Sequence, residues 1–421
     1  METFINKLNH TFKNNITYKS INNINNVQLR KSKINLIDLI YYQFEYSVIG
    51  KTKNSIISQI NLTNNENIHS TCFLKKQNNI SLNWYNQLFS KISNLCDEFI
   101  YSSNNASNKI NLIGFDGTYS NDSKQNISLN LGIFDITNKI PINLVFEGVK
   151  NRNKEISCAT KFIKNNVKLF EKSIIVMDRG YFSYNFIDFL IEHNINFIIR
   201  ARNNVKILKR NDIKYVRYNE KITKTSFLKS RKRGESMKKI TYSVNNECIL
   251  ITNIKNQPKN VLLEMYRSRW EIETYFKFIK SNFKIQHTKE KNTSNVKKIF
   301  ICSLILSKIL ATLKHITKNN NINNTNLMNG LIEPLFLKKL LSGTLDMNFM
   351  NTFCKIYIKK SYNKCNRHFP RISRVPFTKW YVKNYSINAE INEILEAILN
   401  NKINELHKNK KIKALKIDII K

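Results

Sequence analysis

The sequence predicts an α/β fold: a mixed β-sheet flanked by helices, interrupted by a β-rich insertion, with helical regions at both ends of the chain. Three observations predict it. Short apolar runs alternate with helical spacing between about 106 and 201. A stretch rich in Lys, Arg, Tyr and Thr follows over 202–256 and reads as strands, and helical patterns dominate before 105 and after 257.

Size and composition set the frame. With 421 residues, 42% of them hydrophobic, the chain can bury one sizeable core and carry one or two smaller appended domains. Lys and Arg number 69 against 30 Asp and Glu, a formal charge of +39 spread along the chain, which points to a polyanionic partner. Abundant Asn, Ile and Lys also fit adenine- and thymine-rich codons, so charge alone does not decide the matter. A membrane surface is the competing polyanion, but no long amphipathic basic helix or lipidation signal is present.

The seven cysteines are scattered without a C-x-x-C pair, as expected of a reduced, intracellular, cytoplasmic or nucleoid-associated protein. Cys354, Cys365 and His368 lack a fourth ligand at the spacing of a structural zinc site. The start, METFINKLNHTFKNN, is polar, and the most apolar stretch, Ile299 to Leu313, is broken by Lys308 and reads as a buried helix rather than a membrane span.

Along the chain, residues 1–105 alternate Asn-rich stretches with helical runs at Ile34–Ile49, Ser55–Leu62 and Leu82–Tyr101. KINLIGFDG, NISLNLGIFDI and IPINLVFEG then read as three consecutive strands. Glu155–Phe170 has helical spacing, Ser173–Met177 is an apolar strand, Ser183–His193 is helical and Asn196–Ala201 is another strand. The order βββαβαβ is an RNase H-like pattern. In the insertion, KYVRYN, KITKTSFL, KKITYSVNN and ECILITNI read as four short strands. Pro258 opens one long helical stretch to Lys284, at a position where proline is favoured. The core resumes over 257–320, and 321–421 is helical again apart from a loop-like RHFPRISRVPF.

Three acidic residues stand out. Asp116 ends the run INLIGF and Asp178 ends SIIVM, so each carboxylate leaves a buried strand at its carboxyl end, the edge where sites form in open α/β sheets. Taken singly, an Asp in that place is usually a turn or cap residue. The helix carries the sharper pattern. At ~100° per residue, Tyr266, Arg269, Glu273 and Lys280 fall within roughly a 60° sector, whereas Glu271 lies about 160° from Glu273. A phenol, a guanidinium, a carboxylate and an ammonium on one face suit a metal ion beside a phosphate backbone, although a solvated face with ordinary ion pairs is the bland alternative.

The string YRSRWEIETYFKFIK resembles the Tyr-x2-Arg-x3-Glu-x6-Lys signature of cut-and-paste insertion-sequence transposases of the IS-four type, and FDGTYS and MDRGYF resemble their two Asp regions. The resemblance covers Asp116 to Lys280. It implies a DDE transposase with an RNase H-like core and a β insertion before the Glu helix. Asp116, Asp178 and Glu273 then correspond to the catalytic ligands of two Mg²⁺ (or Mn²⁺) ions, and Tyr266, Arg269 and Lys280 to residues gripping transposon-end DNA.

The implied partners are double-stranded DNA, both terminal inverted repeats and target, and a second copy of the chain in the synaptic complex. Arg179 and the basic cluster Lys229, Arg231, Lys232 and Arg233 are further expected DNA contacts, as are the helical region 1–105 and, for DNA or dimerisation, 321–421. One departure from the family is the missing tryptophan in the insertion, since the tryptophans are Trp84, Trp270 and Trp380; Tyr215, Tyr218, Phe227 or Tyr242 could stack on a flipped base in its place. Rival readings are an RNase H-like nuclease without strand transfer and a catalytically inactive DNA-binding relative. RNA binding lacks an RNP-like aromatic motif and leaves the acidic set unexplained.

Overall fold

The computed structural model describes residues 1–25, 28–101, 111–121, 127–148, 155–201, 210–228, 238–286, 288, 290, 292–317, 324–358 and 417–419. The amino-terminal region is helical: α1 (Glu2–Asn15), α2 (Tyr18–Asn22), α3 (Leu36–Ser47), α4 (Lys53–Asn64), α5 (Ser70–Asn78) and α6 (Leu82–Tyr101). Side chains stop several of these helices from fraying. Thr17, Asn35 and Thr52 each accept a hydrogen bond from a backbone N–H of the first turn that follows.

The sheet begins with β1 (Asn111–Asn121), β2 (Ile127–Asp135) and β3 (Ile140–Gly148), an antiparallel meander. Then come α7 (Glu155–Asn165), α8 (Val167–Phe170), β4 (Ser173–Met177), a 3-10 turn (Arg179–Tyr181), α9 (Tyr184–Glu192) and β5 (Asn196–Arg200). β4 runs parallel to β1 on one side and to β5 on the other, so the sheet is mixed. β4 is buried along its whole length, which explains its uninterrupted SIIVM. Phe115 of β1 packs against Phe170 and Phe162, with ring centroids 5.8 and 6.4 Å away, and this pins α7 and α8 to one face.

The insertion forms two long strands rather than four short ones, β6 (Lys214–Leu228) and β7 (Lys238–Thr252). Neither contains Gly or Pro, so the Asn-containing points that read as breaks do not interrupt the extended backbone. Of the described residues, 215–228, 238–250 and 417–419 form a compact unit of their own, in which β8 (Ile417–Ile419) pairs antiparallel with β7. The remaining described residues form the other unit. There the end of β7 reaches β5, where the Thr252 hydroxyl donates to the Phe197 carbonyl at 2.5 Å.

After Pro258 the expected single helix is two, α10 (Lys259–Arg267) and α11 (Trp270–Asn282). The break is slight. Ser268 and Arg269 keep right-handed helical dihedrals, but Arg269, Glu271 and Ile272 donate their N–H to carbonyls three residues back, a 3-10 turn inside an otherwise helical path. Pro258 stands just before α10 as its cap residue.

The long apolar helix α12 (Thr293–Ile316) meets α6, α3 and β3. It is the one helix among the described residues long and apolar enough to cross a membrane, yet most of it is buried inside the protein, as a core helix is. The described chain closes with α13 (Asn324–Leu331), α14 (Pro334–Ser342) and α15 (Met347–Tyr357). None of the described cysteines, Cys72, Cys96, Cys158, Cys248, Cys302 and Cys354, is in a disulfide. Cys365, His368, Trp380 and the basic cluster Lys229, Arg231, Lys232 and Arg233 lie outside the described residues.

Candidate active site

The parallel register of β1 and β4 pairs Gly114 with Val176; two residues further on stand Asp116, in β1, and Asp178, just past β4. Asp116 does not end its strand as the run INLIGF suggested, because pairing with β2 carries β1 on to Asn121. Adjacent strands lie only ~4.8 Å apart, so the topology brings two carboxylates from distant parts of the chain to one end of the sheet. Asp178 is held there by its role as a cap: its Oδ1 accepts the Gly180 N–H at 2.7 Å and opens the 3-10 turn. Arg179 is half-buried in that turn.

α11 supplies the third carboxylate by lying close against β1 and β2. Gly114 and Gly132 allow the approach. A Cβ on Gly132 would meet the Phe276 ring at 2.3 Å, and one on Gly114 would touch Ile136 and Ile272 at 3.0 and 3.5 Å. With Ile272, Phe276 and Ile279 buried against the sheet, Glu273 is carried at its margin.

Arg269 binds Glu273, Nη2 to Oε1 at 2.5 Å, and its guanidinium carbon lies 5.8 Å from the centre of the buried Tyr266 ring. The 3-10 turn therefore leaves Tyr266, Arg269 and Glu273 together. Lys280 is half-buried with Nζ 5.7 Å from the Phe276 ring; burial lowers its pKa and the charge of Asp116 opposes that shift. Glu271 points elsewhere and pairs with Lys139 at 3.0 Å.

Electrostatics ties the group together. Burial raises the Asp116 carboxyl to about 7; Arg269 pulls it down, and Asp178, Glu273 and Glu155 push it further up. Burial also works against the charge on Arg269, but Tyr266, Glu273, Asp116 and Asp178 outweigh it and hold the guanidinium protonated. Glu155, at the first turn of α7, is a member of this group that the sequence does not single out. An acid at a helix start is ordinary because it offsets the helix dipole, so no signal distinguishes it.

The gathered donors are carboxylate oxygens, the kind that hard divalent cations such as Mg²⁺ or Mn²⁺ take. Among the described residues no three Asp, Glu, His or Cys side chains already stand in ion-holding geometry. Glu273 instead engages Arg269 through Oε1. The donor chemistry and the negative crowding felt by Asp116 fit a divalent ion.

Residues 117–307 match the transposase DDE domain. The match begins one residue past Asp116 and takes in Asp178, Tyr266, Arg269, Glu273 and Lys280. It is a match to transposase DDE domains as a class and does not single out the IS-four type. Among solved structures the chain is similar to a piggyBac transposase synaptic complex with hairpin DNA, at 11% identity and a TM-score of 0.45, over 85% of this chain and 83% of that one. No curated protein matches the sequence.

Tyr215 and Tyr218 are half-buried in β6, and Phe227 and Tyr242 fall where only the strand backbone is described. Of the tryptophans, Trp84 is in the core, whereas Trp270, between Arg269 and Glu271, is 58% exposed.

Proposed function

We propose that this chain is a DNA transposase of the cut-and-paste, IS-four type. In this reading it binds terminal inverted repeats, hydrolyses the strand at each element end and joins the freed 3′-OH to target DNA, acting as a homodimer in the synaptic complex. The observation that carries the reading is the grouping of Asp116, Asp178, Glu273 and Arg269, the last three inside the stretch that matches transposase DDE domains and Asp116 immediately before it.

Two Mg²⁺ or Mn²⁺ ions held by Asp116, Asp178 and Glu273 would supply the positive charge that favours a hydroxide nucleophile and a departing 3′ oxygen. The chain's own residues do the rest. In hydrolysis a water oxygen bonds to phosphorus, the bond from phosphorus to the 3′ oxygen breaks, and that oxygen leaves with a proton as the 3′-OH. Arg269, kept charged, would bind a phosphate oxygen, with the Tyr266 ring 5.8 Å from its guanidinium carbon. Lys280 adds a second cation on the Asp116 side. The family resemblance further suggests that the 3′-OH attacks the opposite strand to form a hairpin end that is reopened before joining.

The test incubates purified protein and Mg²⁺ with the element's own ends and a target plasmid. Joined products are expected from the wild type. Asp116→Asn, Asp178→Asn and Glu273→Gln should yield none while still retarding end DNA. Cleavage without joining would make the protein a nuclease, and full Mg²⁺-dependent cleavage by Glu273→Gln would overturn the assignment of that residue.

A further inference from the structure

At Gly117, next to Asp116 in β1, the space a side chain would take is filled by Glu155. A Cβ there would stand 2.5 Å from Oε1 and 2.6 Å from Cδ of Glu155, so the Glu155 carboxyl group lies directly against the strand backbone beside Asp116. Backbone approach this close is a standard reason for glycine in a strand. The register of β1, which seats Asp116 and Gly117 opposite Gly132 and Leu131 of β2, and the start of α7 thus bring a fourth acidic side chain to the same end of the sheet.

A second observation on the same spot points to a ligand. Tyr181, at the end of the 3-10 turn that Asp178 caps, is fully buried, yet its hydroxyl has no hydrogen-bond partner among the described residues. Burial raises the pKa of that phenol, and the charges of Glu155, Asp116 and Asp178 raise it further, so the hydroxyl lies within reach of the acidic group. A buried hydroxyl is costly to leave unpaired, so a hydrogen-bonding ligand at the neighbouring acidic group would satisfy it.

We propose that Glu155 is a fourth carboxylate of the divalent-cation site, seated by the bare backbone of Gly117, and that the Tyr181 hydroxyl serves a water held at that site. This rests on the reading of Asp116 and Asp178 as cation ligands given above.

The test measures Mn²⁺ binding to the full-length chain without DNA, by electron paramagnetic resonance of free Mn²⁺, alongside a thermal melt of each variant. Glu155→Gln is expected to weaken Mn²⁺ about tenfold or more, the scale on which residues around a metal site act. Gly117→Ala, which displaces the Glu155 carboxylate from its place against β1, should do the same with Glu155 still present. The exposed Glu171→Gln should bind as wild type. If Glu155→Gln or a folded Gly117→Ala binds Mn²⁺ like the wild type while Asp116→Asn loses it, the proposal fails and the cation site of Asp116 and Asp178 stands. A wild type that binds no Mn²⁺, or an Asp116→Asn that binds it normally, overturns both.

Discussion

Gly132 of β2 and Phe276 of α11 are in contact so close that the ring's Cζ occupies the place a Cβ on residue 132 would need. That contact sets how near the helix bearing Glu273 lies to the strand bearing Asp116.

Gly132→Ala should therefore lift α11 from the sheet. A cost of about 1–3 kcal/mol in denaturant unfolding is expected from overpacking, together with loss of end cleavage. Phe276→Leu in the same chain should recover most of the stability; if Gly132→Ala alone is neutral in both measurements, the contact does not position the helix.

Arg269 is expected to act through its shape as well as its charge, since it binds Glu273 and lies over Tyr266 at once. Arg269→Ala should lower end cleavage by about 10²-fold or more, the scale of losing one preorganised charged donor. Arg269→Lys should not restore it, because an ammonium cannot reproduce the planar fork. Cleavage at wild-type rate in the Lys variant would remove the geometric part of this argument.

Lys298 of α12 is buried, with Nζ 5.8 Å from the Tyr85 ring, and burial lowers its pKa to about 8, against weaker opposing pulls from Cys302 and Glu290. Because the folded-state value lies below the unfolded one, the unfolded chain binds the proton more tightly. The penalty is fully present below about pH 8 and is relieved as pH rises toward the ordinary lysine value of ~10.4. Lys298→Met should thus stabilise the protein at pH 7 by up to about 3 kcal/mol, with the gain shrinking between pH 8 and 10. Melting curves across that range check it; a gain that stays constant with pH would contradict the assignment.

Lys308 is also buried in α12, but it is paired with Asp97 of α6 at 2.9 Å. Asp97→Ala should cost about 3 kcal/mol, the low end for breaking a buried pair, because the Asp97 side chain is itself one-third exposed. Asp97→Leu combined with Lys308→Met should return to near wild-type stability in urea unfolding. A double variant as unstable as the single one would show that the pair does more than neutralise charge.

With a formal charge of +39, binding to duplex DNA should weaken steeply between 50 and 200 mM salt, by about 10³-fold or more if six or more phosphates are contacted. A gel-shift series in KCl measures the slope, and a flat dependence would argue against the basic surface as the source of affinity.

Much of the site's scaffold was legible in the chain. β4 was readable because SIIVM is buried on both faces and needs no polar residue, and the first half of β1 was readable from the apolar run INLIGF. α6 was readable from the helical spacing of its buried Trp84, Leu88, Ile92 and Leu95. α1 and α5 escaped because Asn and Lys dilute their apolar positions. The 3-10 turn at Ser268 and Arg269 escaped because no Gly or Pro marks it and its dihedrals stay helical. In β6 and β7, asparagines that favour turns in isolation sit within continuous strands.

What the sequence determined by itself is local: the order of strands and helices, and the point where Asp178 leaves β4, because periodicity acts over a few residues; that Asp116 lies inside β1 rather than at its end depends on the pairing with β2. Which side chains meet is decided only in three dimensions. That Glu155 rests on Gly117, that Phe276 fills the space over Gly132, and that Glu273 turns to Arg269 depend on packing between segments far apart in the chain, and no pattern along the sequence encodes the gap a missing Cβ leaves.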